Sequence, residues 1–261
     1  MTTPFDQVVE EIKARGFHNQ RIEEHSDLLS RGILKDLLST CQPLRADLES
    51  GAIRSWLNVP IPGKDERELD LLIGGTRDDD KSSPDLEKVR VCVENKSVIT
   101  AHRNRGTRYT DLSEVMKAVH AAREEAVLVA TVLIGVAQRV LNVPDRIKPA
   151  FKENPKKFKT KVLPRLSSGD TRLWKEFPIA VSNNRPNDPK TTVKKFRGLP
   201  TRKPGHTHVL GYDYVLLIPA FIDNVNPPYL ARVNGLGIDI DADYHAMIAQ
   251  ICKAYTARWH L

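Results

Sequence analysis

Cysteine is scarce in this 261-residue chain. The three cysteines, Cys41, Cys92 and Cys252, lie far apart and form no CxxC pair, so the sequence suggests neither a disulfide framework nor a zinc finger. A reducing cytoplasm is the predicted location. The first residues, MTTPFDQVVEE, are acidic where a secretory signal has a basic region followed by an apolar one, so no export signal is predicted.

Long apolar runs are also missing. The most apolar stretch, residues 126–136, is shorter than the roughly 20 residues that a membrane-spanning helix needs, and Gln138 and Arg139 soon follow it. We therefore interpret it as a buried strand. With 40% hydrophobic and 28% charged residues, the composition is that of an ordinary globular protein.

Several common catalytic motifs are absent. The sequence contains no GxxxxGK[ST] phosphate loop, no GxGxxG turn, no GxSxG nucleophile elbow and no HExxH motif. Nucleoside triphosphate hydrolysis, dehydrogenation and ester hydrolysis therefore have no support in the sequence.

Hydrophobic patterning predicts two amphipathic helices followed by a hairpin. Apolar residues recur at helical spacing in 5–12 and again in 28–38, and Gly16 separates the two runs. Two short apolar runs, 69–73 and 89–93, flank the polar loop TRDDDKSSPD, which predicts an antiparallel pair of strands.

A strand, helix, strand unit is predicted next. Asp111 and Glu114 have the spacing of a helix-capping box, so a helix is expected to begin there, and residues 126–136 supply the following strand. Such a unit usually joins parallel strands through a right-handed crossover. The expected fold class is therefore α/β, with a mixed β-sheet core flanked by helices. A further strand at 212–221 and a closing helix at 244–255 are expected to pack on the same core.

Positive charge is concentrated in the second half of the chain. Lysine and arginine exceed aspartate and glutamate by 40 to 33, which gives a net charge of +7. Residues 143–208 alone contain 17 basic and five acidic side chains, an asymmetry that is typical of a segment facing a polyanion. We divide the chain into a core with N-terminal helices, residues 1–142, and a basic loop-rich extension with the last strand and helix, residues 143–261.

Two carboxylates and a lysine are expected to converge on the hairpin. In Glu94-Asn95-Lys96 the strand period of two places Glu94 and Lys96 on one face, with Asn95 pointing away. Hard oxygen ligands for Mg²⁺ and a nearby cation are what metal-assisted phosphodiester hydrolysis requires. The alternative is that these residues are purely structural. The acid of the first strand, Asp70, would then merely cap that strand, and Glu94 would form a surface ion pair with Lys96.

Two acids compete for the first position of this motif. Asp85 has the literal Pro-Asp dipeptide, but it begins the second strand, roughly 30 Å from Glu94 at about 3.3 Å per residue. Asp70 lies near the start of the first strand and should neighbour Glu94, because the start of one strand lies beside the end of the other in an antiparallel hairpin. Asp70 is the predicted acid.

Asp70, a hairpin, Glu94-x-Lys96, a helix and an apolar strand together resemble the core of the PD-(D/E)xK nuclease superfamily. The resemblance covers residues 23–134, about half of the chain, and departs from the motif in having Leu69 where its name has proline. It implies a restriction-endonuclease-like fold and a magnesium-dependent DNA endonuclease, with manganese as a possible substitute. As a stand-alone chain it would be a restriction or phage-defence enzyme acting as a homodimer.

The resemblance also implies roles for individual residues. Asp70, Glu94 and Lys96 would be catalytic, with both acids binding the metal. An acid on the preceding helix sometimes adds a ligand in this superfamily, a position that Glu23 or Glu24 would fill, and Glu24 is the residue we assign.

Basic residues in two regions are predicted to contact nucleic acid. The first group follows the catalytic lysine directly and the second lies in the basic segment, where guanidinium and ammonium groups suit phosphates. These residues are His102, Arg103, Arg105, Arg108, Lys156, Lys157, Lys194, Lys195 and Arg197. A non-catalytic nucleic-acid-binding module, and a nuclease acting on RNA or on modified DNA, remain the alternatives.

Overall fold

A computed structural model describes residues 3–18, 23–61, 67–99, 102–143, 154–162, 164–165, 168, 170, 172 and 180–260. Part of the basic segment, and the side chain of Glu23, lie outside this description. No helix in the described residues is long and apolar enough to cross a membrane.

The described residues form six helices of eight or more residues and eight strands. The helices are α1 (Pro4–Arg15), α2 (Glu23–Thr40), α3 (Gln42–Glu49), α4 (Arg105–Ala122), α5 (Asp188–Arg197) and α6 (Ile240–Trp259). The strands are β1 (Arg54–Pro60), β2 (Glu68–Thr76), β3 (Pro84–Val98), β4 (Val127–Gly135), β5 (Arg139–Asn142), β6 (Ala180–Asn183), β7 (Tyr214–Phe221) and β8 (Tyr229–Leu230). Shorter helical turns lie at His102–Asn104, Pro155–Lys157 and Phe158–Val162.

Six strands form one mixed sheet in the order β1-β2-β3-β4-β7-β8. Strands β1, β2 and β3 are antiparallel, β3, β4 and β7 are parallel, and β8 returns antiparallel to β7. Strands β5 and β6 form a separate antiparallel pair. The predicted hairpin, the parallel strand after a crossover helix and the α/β class with a mixed sheet are confirmed.

Helices cover both faces of the sheet, because successive strand residues point to opposite sides. Val91 and Val93 of β3 pack in the layer with α1, α2, α3 and α6. Cys92, between them, packs in the layer with α4 and α5. Strand β7 and helix α6 pack in this core, so the predicted strand at 212–221 and the closing helix belong to the same sheet and its cover.

The predicted start of α4 is wrong. The helix begins at Arg105, well before Asp111, and its N-cap residue Asn104 makes no side-chain capping bond. Asp111 and Glu114 lie within the helix, where both form ion pairs with Arg67. The apparent capping box is therefore a pair of acids facing a cation from another element. Helix α3 and strand β1 were not predicted.

The expectation that the cysteines form no disulfide is wrong for one pair. Cys41, directly after α2, is bonded to Cys252 in α6, with Cα atoms 5.3 Å apart and a sequence separation of 211. Cys92 is buried and free. The bond joins residues that only the packing of α6 against α2 brings together, so their spacing in the sequence gave no indication of it.

Candidate active site

Asp70 and Glu94 lie side by side on neighbouring strands. Leu71 of β2 pairs with Val93 of β3, so one further step along the antiparallel pair places Asp70 beside Glu94. The backbone N–H of Asn95 donates to Asp70 Oδ2 at 2.6 Å. The backbone of β3 thus holds one oxygen of the Asp70 carboxylate.

The other candidate acid, Asp85, lies at the far end of the hairpin. Its neighbour Pro84 pairs with Thr76 at the end of β2 opposite to Asp70. Asp85 Oδ2 is 3.2 Å from Lys88 Nζ, with which it forms an ion pair. The structure therefore brings Asp70, and not Asp85, to Glu94.

Glu94 is buried and bonded directly to Lys96. Only 1% of Glu94 is exposed, and Lys96 Nζ donates to its Oε1. The second oxygen, Oε2, is buried without a hydrogen-bond partner in the described structure. Burial, reinforced by the charge of Asp70, raises the pKa of Glu94 to about 8. The Glu94–Lys96 pair is thus a buried one that leaves a carboxylate oxygen available.

Glu94 and Asp70 keep Lys96 in its charged form. Burial disfavours its ammonium form, but Glu94 and Asp70 outweigh that effect, so the pKa of Lys96 is raised. Lys96 is therefore the positively charged member of the cluster.

Helix α2 fixes the carboxylate of Asp70. Ser26 Oγ donates to Asp70 Oδ1 at 2.6 Å, opposite the bond from Asn95. Burial raises the pKa of Asp70, although Lys96 and these two hydrogen bonds act in the other direction. Each oxygen of Asp70 is held by one donor, so its orientation is defined before any ligand binds.

Asn95 is the residue that the sequence interpretation undervalued. Its side chain points away from Lys96, as predicted, but it donates to Ser26 Oγ at 3.0 Å and to Ser30 Oγ at 2.9 Å. It also accepts a hydrogen bond from Thr131 Oγ1 at 2.7 Å. Asn95 therefore ties α2 to β3 and β4 behind the acids. An amide within an otherwise apolar strand is the signal that indicates such a role, because polar groups that a sheet partly buries need hydrogen-bond partners.

Glu94 and Lys96 open into a cleft of about 480 Å³ between the start of β2 and helix α4. Most of the side chains around it are charged. They are Arg67, Glu68, Glu94, Lys96, Thr107, Arg108, Asp111 and Val115. The cleft is lined by side chains of both charges and by an unpartnered carboxylate oxygen. Such a lining suits an anionic ligand that binds together with a cation.

Asp70 and Glu94 fit a magnesium ion as an incomplete set of ligands. Mg²⁺ is usually held by one or two carboxylates and keeps several waters or phosphate oxygens, and the unpartnered Glu94 Oε2 offers such a ligand. No group of three or more His, Cys, Asp and Glu side chains in the described residues is arranged to hold a metal. The predicted third ligand, Glu24, is exposed, with Oε2 4.0 Å from Arg15 Nη1.

His102 is buried, in contrast to its predicted contact with nucleic acid. Only 1% of the residue is exposed. Its Nδ1 is 2.7 Å from Thr192 Oγ1 and its Nε2 is 2.7 Å from the carbonyl oxygen of Gly135. Both ring nitrogens are thus used to join the start of α4 to β4 and α5, so the role of His102 is structural.

The three arginines near His102 have different surroundings. Arg103 is exposed, whereas Arg105 Nη1 is 3.3 Å from Asp188 Oδ1 on α5. Arg108 alone lines the cleft with Glu94 and Lys96. The structure therefore brings one of the three to the predicted catalytic residues.

The predicted basic contacts of the second half lie on the surface. Lys156, Lys157 and Lys194 are exposed. Lys195 lies over the ring of Tyr109, with Nζ 4.7 Å from its centroid, and Arg197 donates to the carbonyl oxygen of Gly237 at 2.6 Å. Helix α5 also carries Lys190, which shares a groove of about 400 Å³ with Lys194 and Arg197.

Comparison of the chain with protein-family models, curated proteins and solved structures gives no match. The geometry of the site and the chemistry of its residues are therefore the basis for a functional proposal.

Proposed function

We propose that this chain is a metal-dependent endonuclease of the PD-(D/E)xK type that hydrolyses phosphodiester bonds in double-stranded DNA. The observation that carries the proposal is the convergence of Asp70, Glu94 and Lys96 on neighbouring strands. Glu94 and Lys96 line a polar cleft, and Glu94 Oε2 is buried and unpartnered in the described structure. A mixed sheet whose hairpin continues through α4 into a parallel strand agrees with the restriction-endonuclease-like core that this family implies.

Each residue of the cluster has a distinct task in this proposal. Asp70 and Glu94 would hold Mg²⁺, or Mn²⁺ in its place, and the bound ion would polarise the phosphate and promote ionisation of a water molecule. Ser26 and the backbone of Asn95 keep the Asp70 carboxylate oriented. Lys96 supplies a fixed positive charge that stabilises the negative charge developing on the phosphate.

Exposed basic residues outside the cleft supply the argument for a nucleic acid. The exposed basic residues of α5 and of residues 154–157 offer phosphate contacts that are independent of base sequence. A restriction or phage-defence role in the cytoplasm belongs to the proposal, as does a homodimer, since one such core cuts one strand. The Cys41–Cys252 disulfide argues against the cytoplasmic part of this proposal, because disulfides are rare in reducing compartments.

Cleavage assays with matched variants test the proposal. Supercoiled and linear duplex DNA are incubated with the protein in Mg²⁺ or in EDTA. We expect metal-dependent products from the wild type and from Asp85→Asn, and none from Asp70→Asn, Glu94→Gln or Lys96→Ala. Asp85 is the matched control because it is the second acid of the same hairpin. Cleavage that persists unchanged in Asp70→Asn and Glu94→Gln would exclude this site.

A non-catalytic nucleic-acid-binding module is the second candidate. It is favoured by the direct bond between Lys96 and Glu94, which pairs the two side chains with each other without a ligand. It predicts binding that weakens steeply with salt and no metal-dependent product. Adding RNA and methylated DNA to the cleavage assay tests the third version, in which the same site acts on RNA or on modified DNA.

A further inference from the structure

Two arginines from different elements meet one acid at the cleft. Arg67 precedes β2, and its Nη2 is 3.5 Å from Asp111 Oδ1. Arg108 of α4 donates from Nη1 to Asp111 Oδ2 at 3.2 Å. Each oxygen of Asp111 therefore takes one guanidinium group. All three side chains line the cleft that contains Glu94 and Lys96.

Both guanidinium groups have donors to spare. A guanidinium has five N–H groups, and Nη1 is the only side-chain atom of Arg108 that hydrogen-bonds within the described structure. Arg67 contacts Glu114 through Nη1 and Asp111 through Nη2, which leaves the other N–H groups of its guanidinium for a further ligand. The side chains of Arg67 and Arg108 are each 34% exposed. Ion pairs at that exposure contribute little to stability, so a purely structural role leaves the arrangement poorly explained.

We propose that Arg67 and Arg108 form a clamp for a backbone phosphate of nucleic acid next to the one that is cut. A phosphodiester has two non-bridging oxygens, and the clamp gives each of them one guanidinium, just as it gives one to each oxygen of Asp111. Guanidinium groups match phosphate geometry better than ammonium groups do. The inference rests on the proposed function for the identity of the ligand.

Asp111 has two opposing effects in this arrangement. Its hydrogen bond and ion pair orient the two guanidinium groups, whereas its negative charge repels a phosphate that approaches them. Asparagine has nearly the same shape without the charge. Replacing Asp111 by asparagine should therefore strengthen phosphate binding, while loss of either arginine should weaken it.

Binding is measured by fluorescence anisotropy with labelled duplex DNA and labelled single-stranded RNA. EDTA is present so that no metal-dependent cleavage occurs. Arg67→Gln and Arg108→Gln are each expected to bind duplex DNA about tenfold more weakly, as loss of one charge-assisted contact implies. Each should also lower the slope of log K against log salt by about 0.9. Asp111→Asn is expected to bind several-fold more tightly.

Arg77→Gln is the matched control. Arg77 is an exposed arginine with one acidic partner, Asp79, at 3.3 Å. It follows the other end of β2, roughly 30 Å from Arg67 at about 3.3 Å per residue. Its replacement removes the same charge and should leave binding to the clamp unchanged.

The outcomes separate the clamp from the nuclease activity. Wild-type affinity in Arg67→Gln and Arg108→Gln overturns the clamp, whether or not the protein cuts DNA. Weaker binding by Asp111→Asn also overturns it, because loss of a structural network would weaken all three variants alike. The clamp is also overturned if the wild type binds neither the duplex DNA nor the single-stranded RNA. Variant effects as expected, with no cleavage in Mg²⁺, would support the clamp and refute the proposed nuclease.

Discussion

A buried pair of histidines should make the stability of this protein strongly dependent on pH. His18 and His25 are 5% and 7% exposed, and their Nδ1 atoms are 3.3 Å apart. Their Nε2 atoms have no hydrogen-bond partner in the described structure. Burial, with the charges of His25 and Arg15, lowers the pKa of His18 to about 3. Burial, followed by Arg15 and opposed by Glu24, lowers the pKa of His25 to about 4.

The direction of the effect follows from proton linkage. Unfolded histidine titrates near pH 6.5, whereas the folded pair stays neutral to much lower pH, so the unfolded state binds more protons below pH 6.5. Stability contributed by the neutral pair is complete above that pH and falls as the pH drops towards 4 and then 3. At pH 5 the loss is about 2 kcal/mol for each histidine, or roughly 4 kcal/mol for the pair.

Urea unfolding at pH 7 and pH 5 measures this loss. Groups outside the pair titrate alike in wild type and variants, so the double variant His18→Gln/His25→Gln isolates the contribution of the pair. We expect its free energy of unfolding to fall by roughly 4 kcal/mol less than that of the wild type between the two pH values. His245→Gln, at an exposed histidine of α6, should behave like the wild type. Equal pH dependence in the double variant and the wild type would refute the reasoning.

Three further changes are expected to have measurable effects. Replacing Cys41 and Cys252 by serine removes a crosslink with a sequence separation of 211. For a loop of that length the chain-entropy model gives a loss of about 5 kcal/mol in the free energy of unfolding, and thiol titration of the unfolded, unreduced wild type should find a single thiol. Asn95→Ala leaves two buried hydroxyl groups without their partner, so urea unfolding should show a loss of about 2–4 kcal/mol. In EDTA, Glu94→Gln should unfold at higher urea concentration than the wild type at pH 9 and show a smaller difference at pH 5. The pKa of about 8 in the folded protein, against an ordinary value of 4.5, makes wild-type stability fall as the pH rises between those values.

Strand period and hairpin geometry were sufficient to predict which residues converge. An antiparallel pair fixes which ends of two strands meet, so Asp70 could be preferred to Asp85 although the dipeptide before Asp85 matches the name of the motif. The same geometry placed Glu94 and Lys96 on one face, where the structure has them bonded to each other. Local periodicity carries this information because both strands belong to a short stretch of chain.

Contacts between distant elements could not be predicted in this way. The Cys41–Cys252 bond depends on how α6 packs against α2. Asp111 resembled a helix-capping residue because its partner Arg67 lies 44 positions earlier in the sequence, just before β2. His102 resembled a surface contact because its sequence neighbours are arginines, yet its ring is enclosed by α5 and β4. In each case the deciding partner is far away in the sequence, and no pattern within a short window reports it.

The energetics of Glu94 link the stability of the fold to the proposed activity. A buried carboxylate oxygen without a partner is unfavourable, and the neighbouring Asp70 adds to the cost of ionising Glu94. Lys96 offsets only part of this, since the pKa of Glu94 remains well above its ordinary value. Such a cost is common at sites that are arranged to bind a ligand.

Magnesium binding tests whether Asp70 and Glu94 form such a site. If they bind a divalent cation, Mg²⁺ should stabilise the wild type against urea and leave Glu94→Gln nearly unaffected, because a ligand that binds only the folded state raises its stability. If the acids are only structural, Mg²⁺ should change the two proteins equally.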